Sequence, residues 1–285
     1  MSGAPEYAVV LLTWNSRRHI EACLRSLPAA ADRRLQLIVV DNGSSDGTLS
    51  AVRELAPHAE LICNAVNCGV APGRNQGLDA VRAPYGVLLD VDTVVEPGAL
   101  GRLLDHLDAE PDVALCGPRL ILPDGSIQPS CQRFPTLRDK LARQLPRRFG
   151  GRLLREIEMW DWDHLDVRDV DYVVGACQAI RMGALREVGG LDDEIFYGPE
   201  DVDLCLRLQL QGHRVTYVGD AVVRHECQRV TRHRLDSLAW RHLTGLLHYF
   251  RVHGYLWSRA AVYRRIAAAR HGGAGAGEGP IRSVG

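Results

Sequence analysis

"GVLLDVDTVV", residues 86–95, is the stretch on which the fold turns. Gly86, Val87, Leu88 and Leu89 read as the end of a buried strand. Asp90 and Asp92 follow, with Val91 between them. Burying an unpaired charge is costly, so a core strand that ends in two carboxylates needs a reason. Upstream, the same kind of strand recurs three times. "YAVVLLT" (7–13) runs into Trp14 and Asn15, "LQLIVVD" (35–41) into Asn42 and Gly43, and "AELIC" (59–63) into Asn64 and Asn67. Helical patterns lie between them, from Arg17 to Leu27, from Asp46 to Leu55 and over 72–82. Short apolar strands alternating with helices predict βαβ units and a parallel sheet covered on both faces. Ligands bind such sheets at the carboxyl ends of the strands, and here all four ends carry carboxylates or amides. Asp and Asn also favour turns and helix caps, which accounts for one such end more readily than for four together.

The remainder of the chain is read in the same way. Residues 113–128 predict a strand and a "PDGS" turn. Residues 129–170 are mixed, with Arg-rich "RRFGGRLLRE" and aromatic "MWDWDHLD". "VDYVVGACQAI" (170–180) predicts one strand bent at Gly175. "GPEDVDLCLRLQLQGH" (198–213) predicts a helix, acidic at its start and closed by Gly212. "RVTYVGDAVVRH" (214–225) predicts two short strands, residues 235–270 an amphipathic helix, and "GGAGAGEGPIRSVG" a disordered tail.

At 285 residues the chain is long enough for one large domain or two small ones. Its 46% hydrophobic and 24% charged residues are ordinary for a soluble globular protein. A formal net charge of −1 gives no case for nucleic-acid binding. Nearly all the positive charge is Arg; Lys140 is the single lysine. The 8 Cys form no CxxC pair, which argues against a zinc cage and for reduced thiols. "MSGAPEYAVVLLTWN" lacks the pattern of a signal peptide, and no apolar run reaches the ~18–20 residues of a membrane span. The expected location is the cytoplasm.

Several segments carry chemistry. Asp90 and Asp92 suit a divalent cation, since Mg2+ or Mn2+ takes one or two carboxylates plus substrate phosphate oxygens. "DNGSSDGT" (41–48) fails as an EF-hand loop because its sixth position is Asp46 rather than Gly. Asp41, at the strand end, can instead accept a hydrogen bond from a nucleobase N–H. "NCGVAPGRNQG" (67–77) is neither a GxGxxG fingerprint nor a P-loop; its Arg74 is a cation for a diphosphate or a solvated helix residue. Glu200, Asp201 and Asp203 stand in the first turn of a helix, where acidic residues complement the dipole. Leu204, Leu206 and Leu208 make that helix partly buried, so a carboxylate opening onto a cleft could take a proton from an attacking hydroxyl. His225 ends a strand and is a candidate third metal ligand.

Strand-"DNGSSDGT", "NCGVAPGRNQG", "LLDVDT" and "VVGACQAIRMGALREVGGLDDEIFYGPEDVDLCLRLQLQGHRVTYVGDAVVRHE" occur in that order, and together they resemble the inverting family-two glycosyltransferases. The rhamnosyltransferase-like branch is the nearest, and the resemblance runs from about Val9 to Arg229. It implies the α/β GT-A fold, a Rossmann-like, mostly parallel sheet flanked by helices. The catalytic domain would span 1–230, with the nucleotide-binding half at about 1–100 and the acceptor-side half at 101–230. C-terminal helices (231–270) and a tail (271–285) would follow. The resemblance also implies roles. Asp41 would hold the nucleobase, with Thr13 and Asn15 beside it. Arg74 and Asn75 would lie on the donor. Asp90 would contact the ribose or the metal, Asp92 would bind the metal, and His225 would complete that site. Asp201 would be the catalytic base with Glu200 in support, and Arg229 would meet the leaving diphosphate. The implied reaction is a single displacement on a nucleoside-diphosphate sugar, dependent on Mg2+ or Mn2+ and inverting at the anomeric carbon. The acceptor is a hydroxyl of a glycan, a lipid-linked glycan or a small molecule.

Two other classes use similar parts. A sugar-phosphate nucleotidyltransferase would want a Gly-rich, basic loop after the first strand, where "TWNSRRH" stands. A non-catalytic sugar-nucleotide-binding protein would not need both acidic motifs. Past Arg224 the chain is rich in Arg, with Trp240, Tyr249, Phe250, Tyr255, Trp257 and Tyr263 interleaved. That composition suits peripheral attachment to the inner face of a membrane, a homodimer interface, or packing on the catalytic domain.

Overall fold

Strand β1 (Tyr7–Thr13) is buried on both faces: Tyr7, Val9 and Leu11 enter one core, and Ala8 and Val10 the other. Two-sided burial is what a continuous apolar run implies, in contrast to the alternation of a half-exposed strand. The computed structural model describes residues 3–143, 147–226 and 237–273, so Arg229 and the residues after 273 lie outside it. Helix α1 (Arg17–Ser26) leads to β2 (Leu35–Asp41), α2 (Thr48–Leu55) to β3 (Glu60–Cys63), and α3 (Val70–Asp79) to β4 (Tyr85–Asp90). The four strands are parallel neighbours in the order β3-β2-β1-β4. The register sets Thr13 opposite Asp41 and Leu12 opposite Asp90, which aligns the polar strand ends along one edge.

The glycines of "GRNQG" explain how closely α3 lies on this sheet. A Cβ on Gly73 would come within 2.6 Å of Leu12 Cδ1, and one on Gly77 within 2.4 Å of Val10 Cγ1. No side chain fits at either place. This segment is Gly-rich for helix–sheet packing rather than for cradling a phosphate.

The second half runs β5 (Thr93–Val95), α4 (Ala99–Ala109), β6 (Val113–Ile121), β7 (Ile127–Gln128), β8 (Cys131–Gln132), α5 (Leu137–Ala142) and α6 (Arg147–Ile157). It continues through β9 (Val167–Asp169), β10 (Tyr172–Val173), β11 (Cys177–Arg181), α7 (Met182–Glu187), α8 (Glu200–Leu210), β12 (Arg214–His225), α9 (Ser237–His253) and α10 (Ala260–Gly273). The sheet continues β4-β11-β6-β12-β5, with β11 antiparallel to both neighbours and β12 parallel to β6.

Three predicted elements differ. Residues 170–180 form two strands, because the backbone at 174–176 leaves the ladder; Gly175 gives its N–H and C=O to Asp201 and Arg74 instead. Residues 214–225 form one long strand rather than two, with a register shift between Val218 and Val222. The amphipathic segment 235–270 is two helices, α9 and α10. Leu246, Tyr249, Phe250 and His253 recur at helical spacing and are buried. His253 bonds Asp203 at 2.7 Å with both side chains buried, which ties α9 to α8. The C-terminal helices therefore share the core of the sheet's second half.

Candidate active site

Asp90 ends β4, and the chain turns at once through Asp92 into β5. His225 ends β12, which pairs with β5 so that His225 lies opposite Thr93. This pairing carries a residue 133 positions from Asp92 to its side. One ligand atom from each of Asp90, Asp92 and His225 lies within 4.8 Å of the others. Gln128 was absent from the sequence reading and orients the histidine. Its Oε1 can only accept, so His225 Nδ1 carries the proton donated across 2.8 Å. Nε2 then faces Asp92 Oδ1 at 3.3 Å. Two acceptors at that separation need a proton or a cation between them. Burial opposes charging His225, but the hydrogen bond and charge of Asp92, with Asp90 behind it, outweigh burial and raise its pKa. Two carboxylates and one imidazole are a donor set that fits Mn2+ or Mg2+.

Arg74 is not a solvated residue; it lines a cleft with its guanidinium already engaged by carboxylates. It is buried, and its Nη2 donates to Asp90 Oδ1 at 2.6 Å and to the Gly175 carbonyl at 2.8 Å, while Nη1 lies 3.4 Å from Glu200 Oε1. Asn75 is likewise taken up elsewhere. It exchanges two hydrogen bonds with the Leu191 backbone and also bonds Asp193, on a surface away from the Asp90 cluster. Burial raises the pKa of Asp90; Arg74 opposes the rise, Asp92 adds to it, and His225 opposes it.

Arg74 links this cluster to the head of α8. There the three acidic residues separate by environment. Asp203 turns away to His253 and Arg207. Asp201 Oδ2 accepts the Gly175 N–H at 2.9 Å and Oδ1 accepts the Val202 N–H at 2.8 Å. A Cβ on Gly175 would stand 2.8 Å from Arg74 Nη1, so this contact requires glycine. Glu200 is buried, and among the described residues its Oε2 has no hydrogen-bond partner. Burial first, and then the charge of Asp201, push its pKa up to about 7 against the pull of Arg74.

That shift has a stability consequence. The native state holds the Glu200 proton more tightly than the unfolded chain, whose pKa is the ordinary 4.5. The contribution is complete below pH 4.5, declines as pH rises towards 7, and is gone above it. In EDTA, the melting temperature of the wild type relative to Glu200→Gln is expected to fall by several degrees between pH 5 and 8, on the scale of about 2–4 °C per kcal/mol. A flat or rising difference would show that Glu200 is charged throughout.

Arg74, Asp90, Glu200, Asp201 and His225 line one cleft of about 310 Å³, together with Gln128, Lys140, Tyr172, Tyr197 and His242. At the other strand ends, Thr13 Oγ1 donates to Asp41 Oδ1 at 2.9 Å, and the Ser44 N–H donates to Asp41 Oδ2 at 3.0 Å. Asn15 Oδ1 accepts the Ser45 N–H. The structure thus brings Thr13, Asn15 and Asp41 together. Asp41 is buried, with lone pairs remaining for a further donor. Sequence reading missed Lys140 and His242 as well as Gln128. For Lys140 a signal was available, its being the single lysine; for the other two there was none.

The family model described as "Glycosyl transferase family 2" matches residues 8–189. An N-acetylglucosaminyl-diphospho-decaprenol L-rhamnosyltransferase of Mycobacterium tuberculosis is 29% identical over 251 residues, 82% of this chain and 80% of that one. A pre-mycofactocin glycosyltransferase of the same organism is 32% identical over 214 residues, covering 73% of this chain and 40% of that one. Among solved structures, a mannosyltransferase from Pyrobaculum calidifontis in complex with GDP-Man and Mn2+ is similar with a TM-score of 0.61. It is 21% identical, with 97% of this chain and 77% of that one covered.

Proposed function

The chain belongs to glycosyl transferase family 2, has the GT-A fold and is a glycosyltransferase; from that premise we propose that it transfers a sugar, with inversion, from a nucleoside-diphosphate donor to the hydroxyl of a lipid-linked glycan. The observation that carries the reading is the joining of the two acidic motifs by Arg74, which bonds Asp90 of the Asp90–Asp92–His225 cluster and lies 3.4 Å from Glu200, next to Asp201. Asp92, Asp90 and His225 would hold Mg2+ or Mn2+. When bound, such a cation neutralises the charge that grows on the departing nucleoside diphosphate. Asp41, with Thr13 and Asn15, is offered to the nucleobase. Asp201 accepts the proton of the attacking hydroxyl, and Gly175 fixes its direction. With one base and no second carboxylate acting as nucleophile, the displacement inverts the anomeric carbon.

The reading is tested with a panel of sugar nucleotides and Mn2+. One donor is expected to raise the melting temperature and to be consumed only with the metal present. The NMR spectrum of the product would show the anomer opposite to the donor's. Retention of configuration would remove Asp201 from the role of sole base.

A lipid-linked acceptor is supported by the relative whose name includes a diphospho-decaprenol, and by α9. While Leu246, Tyr249 and Phe250 are buried, Trp240, Leu243 and Leu247 are exposed along the flanking stripe, and Trp257 is 60% exposed just beyond. Among the described residues, no helix is long and apolar enough to cross a membrane. Exposed Trp and Leu beside Arg241 and Arg251 suit a surface helix on anionic lipid. Sedimentation with anionic vesicles is expected at low salt, less at high salt, and several-fold less for Trp240→Gln. No sedimentation at low salt would favour a soluble acceptor.

A further inference from the structure

Lys140 and His242 line the cleft from elements that carry none of the sequence motifs. Lys140 stands on α5, which is fixed at its start by a capping box: the Thr136 N–H donates to Asp139 Oδ2 at 2.8 Å, and the Asp139 N–H donates back to Thr136 Oγ1. Arg259, just ahead of α10, also pairs with Asp139. His242 stands on α9, with its ring 6.2 Å from that of Tyr197 and its Nδ1 packed against Gly198. Burial, joined by Arg143 at Lys140 and by Lys140 at His242, makes both harder to charge; Asp201 opposes this at each, and Asp139 also opposes it at Lys140. Both line the same cleft as Asp201.

Among the described residues, no hydrogen bond or ion pair reaches the Lys140 ammonium. A half-buried cation whose three donors meet no acceptor at hydrogen-bond distance is costly unless a ligand supplies one. Asp201 is already held by two backbone N–H groups, and Arg74, the other strong cation of the cleft, is taken up by Asp90 and Glu200. The same two helices carry exposed apolar side chains next to these groups, Leu141 beside Lys140 and Leu243 beside His242. A cleft that offers an ammonium without a hydrogen-bonded partner, on helices that also carry exposed apolar side chains, fits an amphiphile with an anionic head. Lysine meets phosphate as a point charge, without a need for bidentate geometry.

Resting on the glycosyltransferase reading, we propose that Lys140 and His242 form an anion subsite that holds the phosphate or diphosphate of the acceptor beside Asp201. The donor's diphosphate belongs to the metal cluster, and the acceptor's to this second subsite.

The test is calorimetric titration with geranyl diphosphate, inorganic diphosphate and geraniol, first in EDTA and then with Mn2+ and whichever of GDP or UDP stabilises the protein. Geranyl diphosphate is expected to bind under both conditions and geraniol not to bind. Lys140→Gln should weaken binding by ~10-fold or more, the scale of losing one charge-assisted hydrogen bond, and His242→Ala by less. Lys140→Arg, which keeps the charge, should retain most of it and serves as the folding control. Inorganic diphosphate binding as tightly as geranyl diphosphate would keep the anion subsite and make its source a soluble phosphate. Unchanged affinity in Lys140→Gln, or displacement of geranyl diphosphate by the nucleotide, overturns the proposal. Failure of every sugar nucleotide to stabilise the wild type with Mn2+ would instead overturn the glycosyltransferase reading on which it rests.

Discussion

Asp92→Ala is expected to abolish transfer, with a loss of at least ~10³-fold, together with nearly all Mn2+-dependent nucleotide binding. A bound cation supplies several kcal/mol of charge stabilisation, and each 1.4 kcal/mol is about tenfold in rate. Asp92 is a cleaner probe than Asp90. Arg74 donates to Asp90 at 2.6 Å, so removing Asp90 would leave a buried guanidinium short of a partner and mix instability with lost metal affinity. Asp92 instead faces His225 Nε2 at 3.3 Å. Its removal also takes away the negative charge that holds the imidazole charged or metal-bound. Isothermal titration with Mn2+ and nucleotide measures the binding loss, and circular dichroism checks the fold. Full activity of Asp92→Ala would remove the metal from this cluster.

Much of this arrangement was legible locally. Each of the first four strands is an apolar run that ends in a polar residue, and parallel pairing in register lines those ends up without further information. The acidic pair at the head of α8 was legible for the same reason, since dipole and burial act within one turn. What was hidden depends on partners far apart in sequence. Arg74 stayed open between a diphosphate cation and a solvated residue because its partners Glu200 and Gly175 lie more than 100 positions away. "VDYVVGACQAI" showed a bend at Gly175 but not that the strand breaks there, because the residues that take the Gly175 backbone belong to α3 and α8. β11 enters the sheet antiparallel between β4 and β6, and neither its composition nor its length records that direction. Lys140 comes from a segment of mixed pattern and His242 from one whose pattern reports only helix. Their common placement follows from how α9 docks through Tyr249, Phe250 and His253.

Asp201→Asn is expected to leave donor affinity close to that of the wild type and to lower turnover by roughly 10²–10⁴-fold, the range for loss of a positioned general base. Both Asp201 oxygens accept backbone hydrogen bonds, from Gly175 and Val202. The isosteric amide keeps one acceptor for these bonds and gives up the other, so one backbone hydrogen bond still holds the side chain while its ability to take a proton is gone. Glu200 is a poor substitute base. It is buried, paired with Arg74 and raised to about 7, so its proton is already held at neutral pH. The decisive comparison is single-turnover rate against donor dissociation constant. If affinity for the donor falls and the rate from bound substrate holds, Asp201 is a binding residue and the proton goes elsewhere. If the rate falls alone, the base is Asp201. Its fixed contact with Gly175 then explains why the strand that should have run through 170–180 gives up its ladder at that point.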